Sequence, residues 1–497
     1  MRQRKKSRRP AVFITGAVLF VLLVLAAWKL TGERRQDTAD SDGAVQQGTE
    51  LPVPEETKKP AQSKPTEKED PEEELTPEQE AEKQKQTFLP DYTSAAFLNT
   101  TPLRCLSVEV GAKEDELYFN WLSPDPSAGE VLWKDVSSGE QKSFQAKCSV
   151  SVTVPGFYVN KAVVTGIVPG AAYSYQVGND AARSPEYTYQ RPKKEGNNLT
   201  FLVTADAQIG QSDMEDPRET AERWDSVLTR LTSYVPEADF LFHLGDQVAD
   251  FGSQEHYEMF LDHLALYRIP LAPVVGNHDV ANEHSIQENG HPGGPYFSEH
   301  FYVPNRSSVG QSQYDTDGNY YFIRGNVLFI VLNSSTSQGS AAQEQYVAQI
   351  TAEHPDVRWK ILAQHFPAYP GAVKSHTDCK EYLARIAADN DIDLILGAHD
   401  HAYSRTAFVN RDCETLNDYP YDPGSSVTNP EGTLYVTCGT SSGCLYHEME
   451  EEIRIVYQGQ PYAPVAIRFD VTDTQLHMET YLVDSWTLFD EYTIEKM

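Results

Sequence analysis

A chain of 497 residues, 40% hydrophobic and with 27 Tyr, is long enough to bury more than one core and implies two or three domains. Its formal net charge of −32 excludes nucleic acid held on a broad basic face. A phosphorylated substrate stays open, because bound metal ions can reverse the sign of a local field.

The basic residues are unevenly placed. Arg2, Arg4, Lys5, Lys6, Arg8 and Arg9 precede an apolar run from Ala11 to Trp28, the pattern of an export signal or a membrane-spanning helix. The run exceeds the apolar core of most cleaved signals, which favours an uncleaved anchor over residues 11–30. The positive-inside rule then makes residues 1–10 a cytoplasmic tail and puts everything after the helix outside. The expected location is the cell membrane, single-pass with the catalytic domain outside; cleavage near Ala26 would make the protein secreted. Residues 31–90 are rich in Glu, Pro, Gln, Thr and Lys and cannot bury enough apolar surface to order themselves, so they form a disordered acidic linker.

Across residues 91–194 short alternating runs such as LYFNWLS, GEVLWKDV and YSYQVGN are broken by turn residues. Period-two alternation at this spacing predicts an all-β sandwich. The stretch NKAVVTGIVPGAAYSYQVGN resembles the late strands of a fibronectin type III-like domain. Six cysteines, none in a CxxC pair, suit disulfides in an oxidising compartment, with Cys105–Cys148 and Cys438–Cys444 as the expected pairs and buried thiols as the alternative.

In residues 195–497 apolar strands alternate with helical stretches, an α/β pattern in which ligands gather at the carboxyl ends of strands. PRETAERWDSVLTRLTSYV has helical periodicity. LTFLVTAD, ADFLFHLGD, PLAPVVGNHD, RWKILAQH and DLILGAHDH each run from apolar strand into polar ligand types. Their ends hold Asp206 and Gln208, Asp246, Asn277 with His278 and Asp279, His365, and His399 with His401. Phosphate-ester hydrolysis needs an activated water and relief of negative charge, and two metal ions about 3.5–4 Å apart supply both. Such a pair needs one oxygen donor shared between the ions, with imidazole, carboxylate and amide donors around it.

The set resembles the five blocks of the calcineurin-like metallophosphoesterases, GDxG, GDxxY, GNH(D/E), VxxH and GHxH. With the preceding sandwich it is most similar to the purple acid phosphatase branch. The resemblance implies a four-layer αββα core and a dinuclear centre of Fe, Mn or Zn. On it, Asp206 and His401 bind one metal, Asp246 bridges, and Asn277, His365 and His399 bind the other. His278 faces the leaving group and Asp279 orients it, while His376 lies on the substrate side. Tyr403 and Arg405 of AYSR are scaffold. The family's ligating Tyr falls on Ala249, so the tyrosinate colour should be missing; Gln208 stands where related enzymes place a His ligand, which favours a divalent ion. His243 is expected to be a packed strand residue, and His447, without supporting neighbours, a surface or structural one.

The implied function is an extracellular phosphomonoesterase acting on small phosphate esters. A phosphodiesterase or nucleotidase of the same fold is the alternative, as is a non-catalytic surface protein with a structural metal site; the His278–Asp279 pair argues against the latter, since a structural site has no use for it.

Overall fold

The protein is described by a computed structural model over residues 101–211, 217–280, 294–309, 318–337, 340–373, 375 and 379–497. The expected tail, anchor and linker (1–90) and His376 lie outside these residues. Among the described residues no helix is long and apolar enough to cross a membrane.

The alternating segments after residue 100 become eight strands: β1 (Arg104–Val110), β2 (Glu116–Ser123), β3 (Glu130–Asp135), β4 (Gln141–Gln145), β5 (Lys147–Val150), β6 (Tyr158–Thr165), β7 (Ala172–Gly178) and β8 (Tyr187–Gln190). They run β1-β2-β6-β5 on one side and β4-β3-β7-β8 on the other. The inward residues of both sides, among them Val108, Phe119, Trp121, Val131, Trp133, Tyr175 and Val177, share one core. Trp133 stacks on Tyr173 at 4.8 Å. Period-two patterning thus yields the sandwich.

The catalytic part begins with β9 (Leu199–Thr204), α1 (Pro217–Tyr234), β10 (Phe240–His243), α2 (Gln254–Leu261), β11 (Leu271–Pro273) and α3 (Tyr296–His300). It continues with β12 (Tyr320–Arg324), β13 (Val327–Val331), α4 (Ser334–Ser337), α5 (Ala341–Glu353), β14 (Trp359–Ala363), α6 (Lys380–Asn390) and β15 (Leu394–Gly397). The remaining strands are β16 (Tyr403–Thr406), β17 (Ser425–Thr428), β18 (Leu434–Thr437), β19 (Ile455–Gly459), β20 (Val465–Val471), β21 (Gln475–Leu482) and β22 (Thr487–Glu495).

Two sheets pack face to face. Phe329 of β13 meets Phe201 of β9 and Phe240 of β10 edge-on at 5.2 and 5.3 Å. Helix α1 buries Trp224, Val227, Leu228 and Leu231, the i, i+3, i+4, i+7 stripe of an amphipathic helix, and Trp224 stacks on Phe260 of α2 at 5.5 Å. On the second sheet Val327, Phe329 and Val331 join the core shared with the first. The alternate residues Leu328 and Ile330 pack with Val347, Ile350, Leu383 and Ile386 of α5 and α6. The layers therefore run helix, sheet, sheet, helix.

Three expectations need correction. The sandwich and the catalytic part are not separate in hydrogen bonding: β1 pairs in parallel with β11, Glu109 opposite Leu271, so one 11-stranded sheet runs through both. The residues after Cys413 were expected in the second sheet. Strands β18 and β19 are there, but β20 pairs with β9 and carries β21, β22 and β17 into the first. All six cysteines are thiols. Strands β1 and β5, which hold Cys105 and Cys148, are separated by β2 and β6, three strand spacings or roughly 14 Å, beyond the reach of a disulfide. Cys438 is buried in the main core, while Cys444 turns toward Gln208, its Sγ 3.8 Å from Oε1.

Candidate metal centre

Parallel pairing brings the polar strand ends to one edge. β9, β10 and β11 are parallel neighbours in the first sheet, and β14 and β15 are parallel neighbours in the second. The residues just past these strands therefore meet where the two sheets come together, each loop continuing the ladder for a bond or two: Asp206 N donates to Gly245 O (3.0 Å), and Ala398 N to His365 O (2.8 Å).

The backbone there is bent hard. Asp206, Gln208, Asp246, His399 and His401 all take left-handed conformations, with φ of 49°, 37°, 53°, 72° and 52°. Non-glycine residues pay about 1–3 kcal/mol for such positions, which persist where the surroundings over-determine them and cluster at functional sites. Gly276 must be glycine for a different reason: a Cβ there would lie 2.1 Å from Asp246 Oδ1.

The side chains form one connected cluster. Asp246 Oδ2 lies 3.3 Å from His365 Nε2, and His365 Nε2 is 3.1 Å from Asn277 Oδ1. Asp206 Oδ1 lies 3.6 Å from His401 Nε2 and 4.0 Å from His365 Nε2. One donor atom each from Asp246, His365 and His399 falls within 4.8 Å of the others. Asp206, Gln208, Asp246, His365 and His401 are buried, whereas Asn277, His278 and His399 are partly open, giving the cluster a floor and a mouth.

A cation fits this cluster. His365 Nδ1 bonds Leu244 O at 2.9 Å, and His401 Nδ1 bonds Leu445 O at 3.0 Å. Each Nδ1 is thereby the N–H donor, and each Nε2 turns a lone pair toward carboxylate oxygens. Lone pairs facing carboxylates are stable only with positive charge between them, a proton or a metal ion. Asp206 Oδ1 is fully buried and has no hydrogen-bond partner, an orphan acceptor that a cation would satisfy. Burial, joined by the nearby charges of other imidazoles, holds His399 and His401 at about 3, so both are neutral at physiological pH, as metal ligands must be. His365 behaves oppositely: burial opposes its charge, but Asp246 outweighs burial and lifts it to about 10.

Several expected roles change. Asp279 does not touch the His278 ring. Its carboxylate accepts the backbone N–H groups of Asp246 (2.8 Å), Gln247 (2.9 Å), Val248 (3.3 Å) and Gly276 (2.8 Å), so it ties the Asp246 loop to the Asn277 loop. The His278 ring is held instead by the backbone of Ala249, Nδ1 to O at 2.8 Å. Gln208 Nε2 donates to Asp246 Oδ2 at 3.1 Å; in this arrangement its amide nitrogen, not its oxygen, faces the cluster, so it acts as a donor to Asp246 rather than as a ligand. Tyr403 and Arg405 are scaffold: Tyr403 OH donates to Asp490 (2.7 Å), and Arg405 grips the same carboxylate through Nε (2.7 Å) and Nη2 (3.0 Å). His243 is fully buried, edge-on to Trp224 and Phe260. His447, expected to be incidental, stacks on His401 with ring centroids 4.8 Å apart. Nothing within its own stretch of sequence signals this, because the contact is made across 46 residues.

Residues 199–403 match the family described as calcineurin-like phosphoesterase, and residues 104–191 match the purple acid phosphatase N-terminal domain. Among solved structures, purple acid phosphatase PPD1 from yellow lupin (Lupinus luteus) seeds is similar with a TM-score of 0.64 and 15% identity, over 80% of this chain and 75% of that one. At that identity the likeness is one of fold. TT1561 of Thermus thermophilus aligns at 13% identity over 59% of this chain and 97% of its own, with a TM-score of 0.29 that carries no argument. No curated protein matches the chain.

Proposed function

This chain carries a calcineurin-like phosphoesterase domain behind a purple acid phosphatase N-terminal domain and is an acid phosphatase-like hydrolase, and from that premise we propose that it hydrolyses phosphate monoesters outside the cell. The observation that carries the reading is the convergence of Asp206, Asp246, Asn277, His365, His399 and His401 on one part-open cluster. Asp206 and His401 would hold one metal ion, Asn277, His365 and His399 the other, and Asp246 both. Bound there, the ions would supply an activated water and neutralise phosphoryl charge.

The remaining work falls to the chain's own groups. His278, with Nδ1 held by Ala249 O, keeps Nε2 for the leaving oxygen, which it protonates as general acid. Its side chain is 36% exposed beside a buried Asp246, so an ester can reach it. Asp279 sets the distance between the Asp246 and Asn277 loops. Gln208 steadies the shared carboxylate. His376 is assigned to the substrate side on sequence grounds. Ala249 carries no phenol, which favours a pair of divalent ions, Mn, Zn or ferrous Fe. The basic start and the apolar run from Ala11 to Trp28 support a membrane anchor with the catalytic part, residues 195–497, outside; thiols in place of disulfides lend that location no support.

Turnover of p-nitrophenyl phosphate and bis(p-nitrophenyl) phosphate by the metal-loaded protein tests the reading. Preferred hydrolysis of the monoester is expected. A strong diester preference would replace it with a phosphodiesterase, and metal binding without turnover of either ester with a structural site.

A further inference from the structure

His447 enters the site from the loop that follows β18, and that loop is tied to the candidate ligands along its length. Thr440 Oγ1 donates to Asp206 O at 2.9 Å, and Ser441 N donates to Ala205 O at 2.8 Å. Leu445 O receives His401 Nδ1 at 3.0 Å. A single amide, Gln460 Nε2, bonds the carbonyls of both His401 and His447 at 3.0 Å, so the two backbones keep a fixed relation. The rings stack with an interplanar angle of 27°. His401 is 2% exposed, whereas His447 stays part-open to solvent. His447 is also close enough for its charge to be felt at His399 as well as His401.

We propose that His447 is a substrate-binding residue, its imidazole N–H donating to a phosphoryl oxygen of the bound ester on the His401 side of the centre. Its fixed backbone, its stacking on a candidate ligand and its partial exposure are what a phosphoryl contact requires: a donor held in place before the ester arrives, at the open side of the cluster. His278 sits near Asp246 and serves the leaving group; His447 serves the retained phosphoryl group. In a chain with a net charge of −32, such donors at the mouth also offset repulsion of an anionic substrate. The assignment rests on the phosphoesterase reading above.

The test compares wild type with His447→Phe and His447→Ala, both metal-loaded. Three quantities are read: metal content, affinity for inorganic phosphate by calorimetry, and KM and kcat for p-nitrophenyl phosphate. Phe preserves an aromatic stack on His401 but removes the N–H. The expected result is full metal content in His447→Phe, with phosphate affinity weakened and KM raised roughly 10- to 100-fold, the loss of one hydrogen bond to a charged oxygen. The change in kcat should be small. Wild-type phosphate affinity and KM in His447→Phe would overturn the proposal and leave a packing role. Loss of metal in His447→Ala together with restoration of all three quantities by Phe would overturn it in the same direction. If wild type binds phosphate but hydrolyses no ester, the phosphatase reading fails while the calorimetric comparison still decides the role of His447.

Discussion

A general acid is only as good as its aim, and His278 is aimed by main chain. Because Nδ1 bonds Ala249 O and the His278 N–H bonds Asp246 Oδ1 at 2.8 Å, its position follows from the loops rather than from a partner side chain. Removing the ring alone should therefore leave the loops intact. His278→Ala is expected to keep its metal content and melting temperature while kcat falls about 10²- to 10⁴-fold. Steady-state kinetics beside metal analysis checks this, and an unchanged kcat would remove His278 from the reaction. The residue types at this site were legible from sequence because coordination chemistry admits few alternatives. The roles of Asp279 and Gln208 were not, since a carboxylate beside a histidine in sequence need not face it in space.

At the scale of elements, the seam between β1 and β11 holds an unusual group. Glu109, opposite Leu271, is fully buried, and neither carboxyl oxygen has a hydrogen-bond partner of good geometry. Burial, only partly offset by the Lys161 ammonium, pushes its pKa up to about 8 from an ordinary 4.5. Between those values the folded chain keeps a proton that the unfolded chain releases. This contribution is thus fully present below about pH 4.5, is lost as pH rises toward 8, and changes little above. Glu109→Gln keeps the shape without the charge. Urea unfolding at pH 5 and pH 8 should show wild type losing on the order of 3 kcal/mol more than the variant over that interval. Equal losses would mean that Glu109 finds a partner in the folded state. Strand existence in this region was written in the alternation of LYFNWLS and its neighbours; the β1–β11 pairing was not, because nothing local to residues 104–110 specifies a partner about 160 positions away.

For the whole molecule, metal and fold should be linked. The candidate ligands come from loops after five strands in two sheets, so ions bound there cross-link the two sheets of the core. Chelation is expected to lower the melting temperature, with about 4 kcal/mol lost if metal had stood 1,000-fold above its Kd, and re-addition should restore it. Protein as purified should hold two metal equivalents and show no tyrosinate charge-transfer band, since residue 249 is Ala. One equivalent, or a coloured protein, would contradict the centre as drawn. Thermal melts with and without chelator, metal analysis and a visible spectrum settle the matter.

By itself the sequence determined the donor set, its placement at strand ends and the sandwich ahead of it, because strand periodicity and ligand type are properties of short windows. Only the tertiary structure decided what those windows meet. The continuous sheet, the thiols left unpaired, the brace made by Asp279, the backbone that holds His278 and the arrival of His447 beside His401 all join residues far apart in the chain. Their contacts depend on how two sheets close upon one another, and no local pattern carries that information.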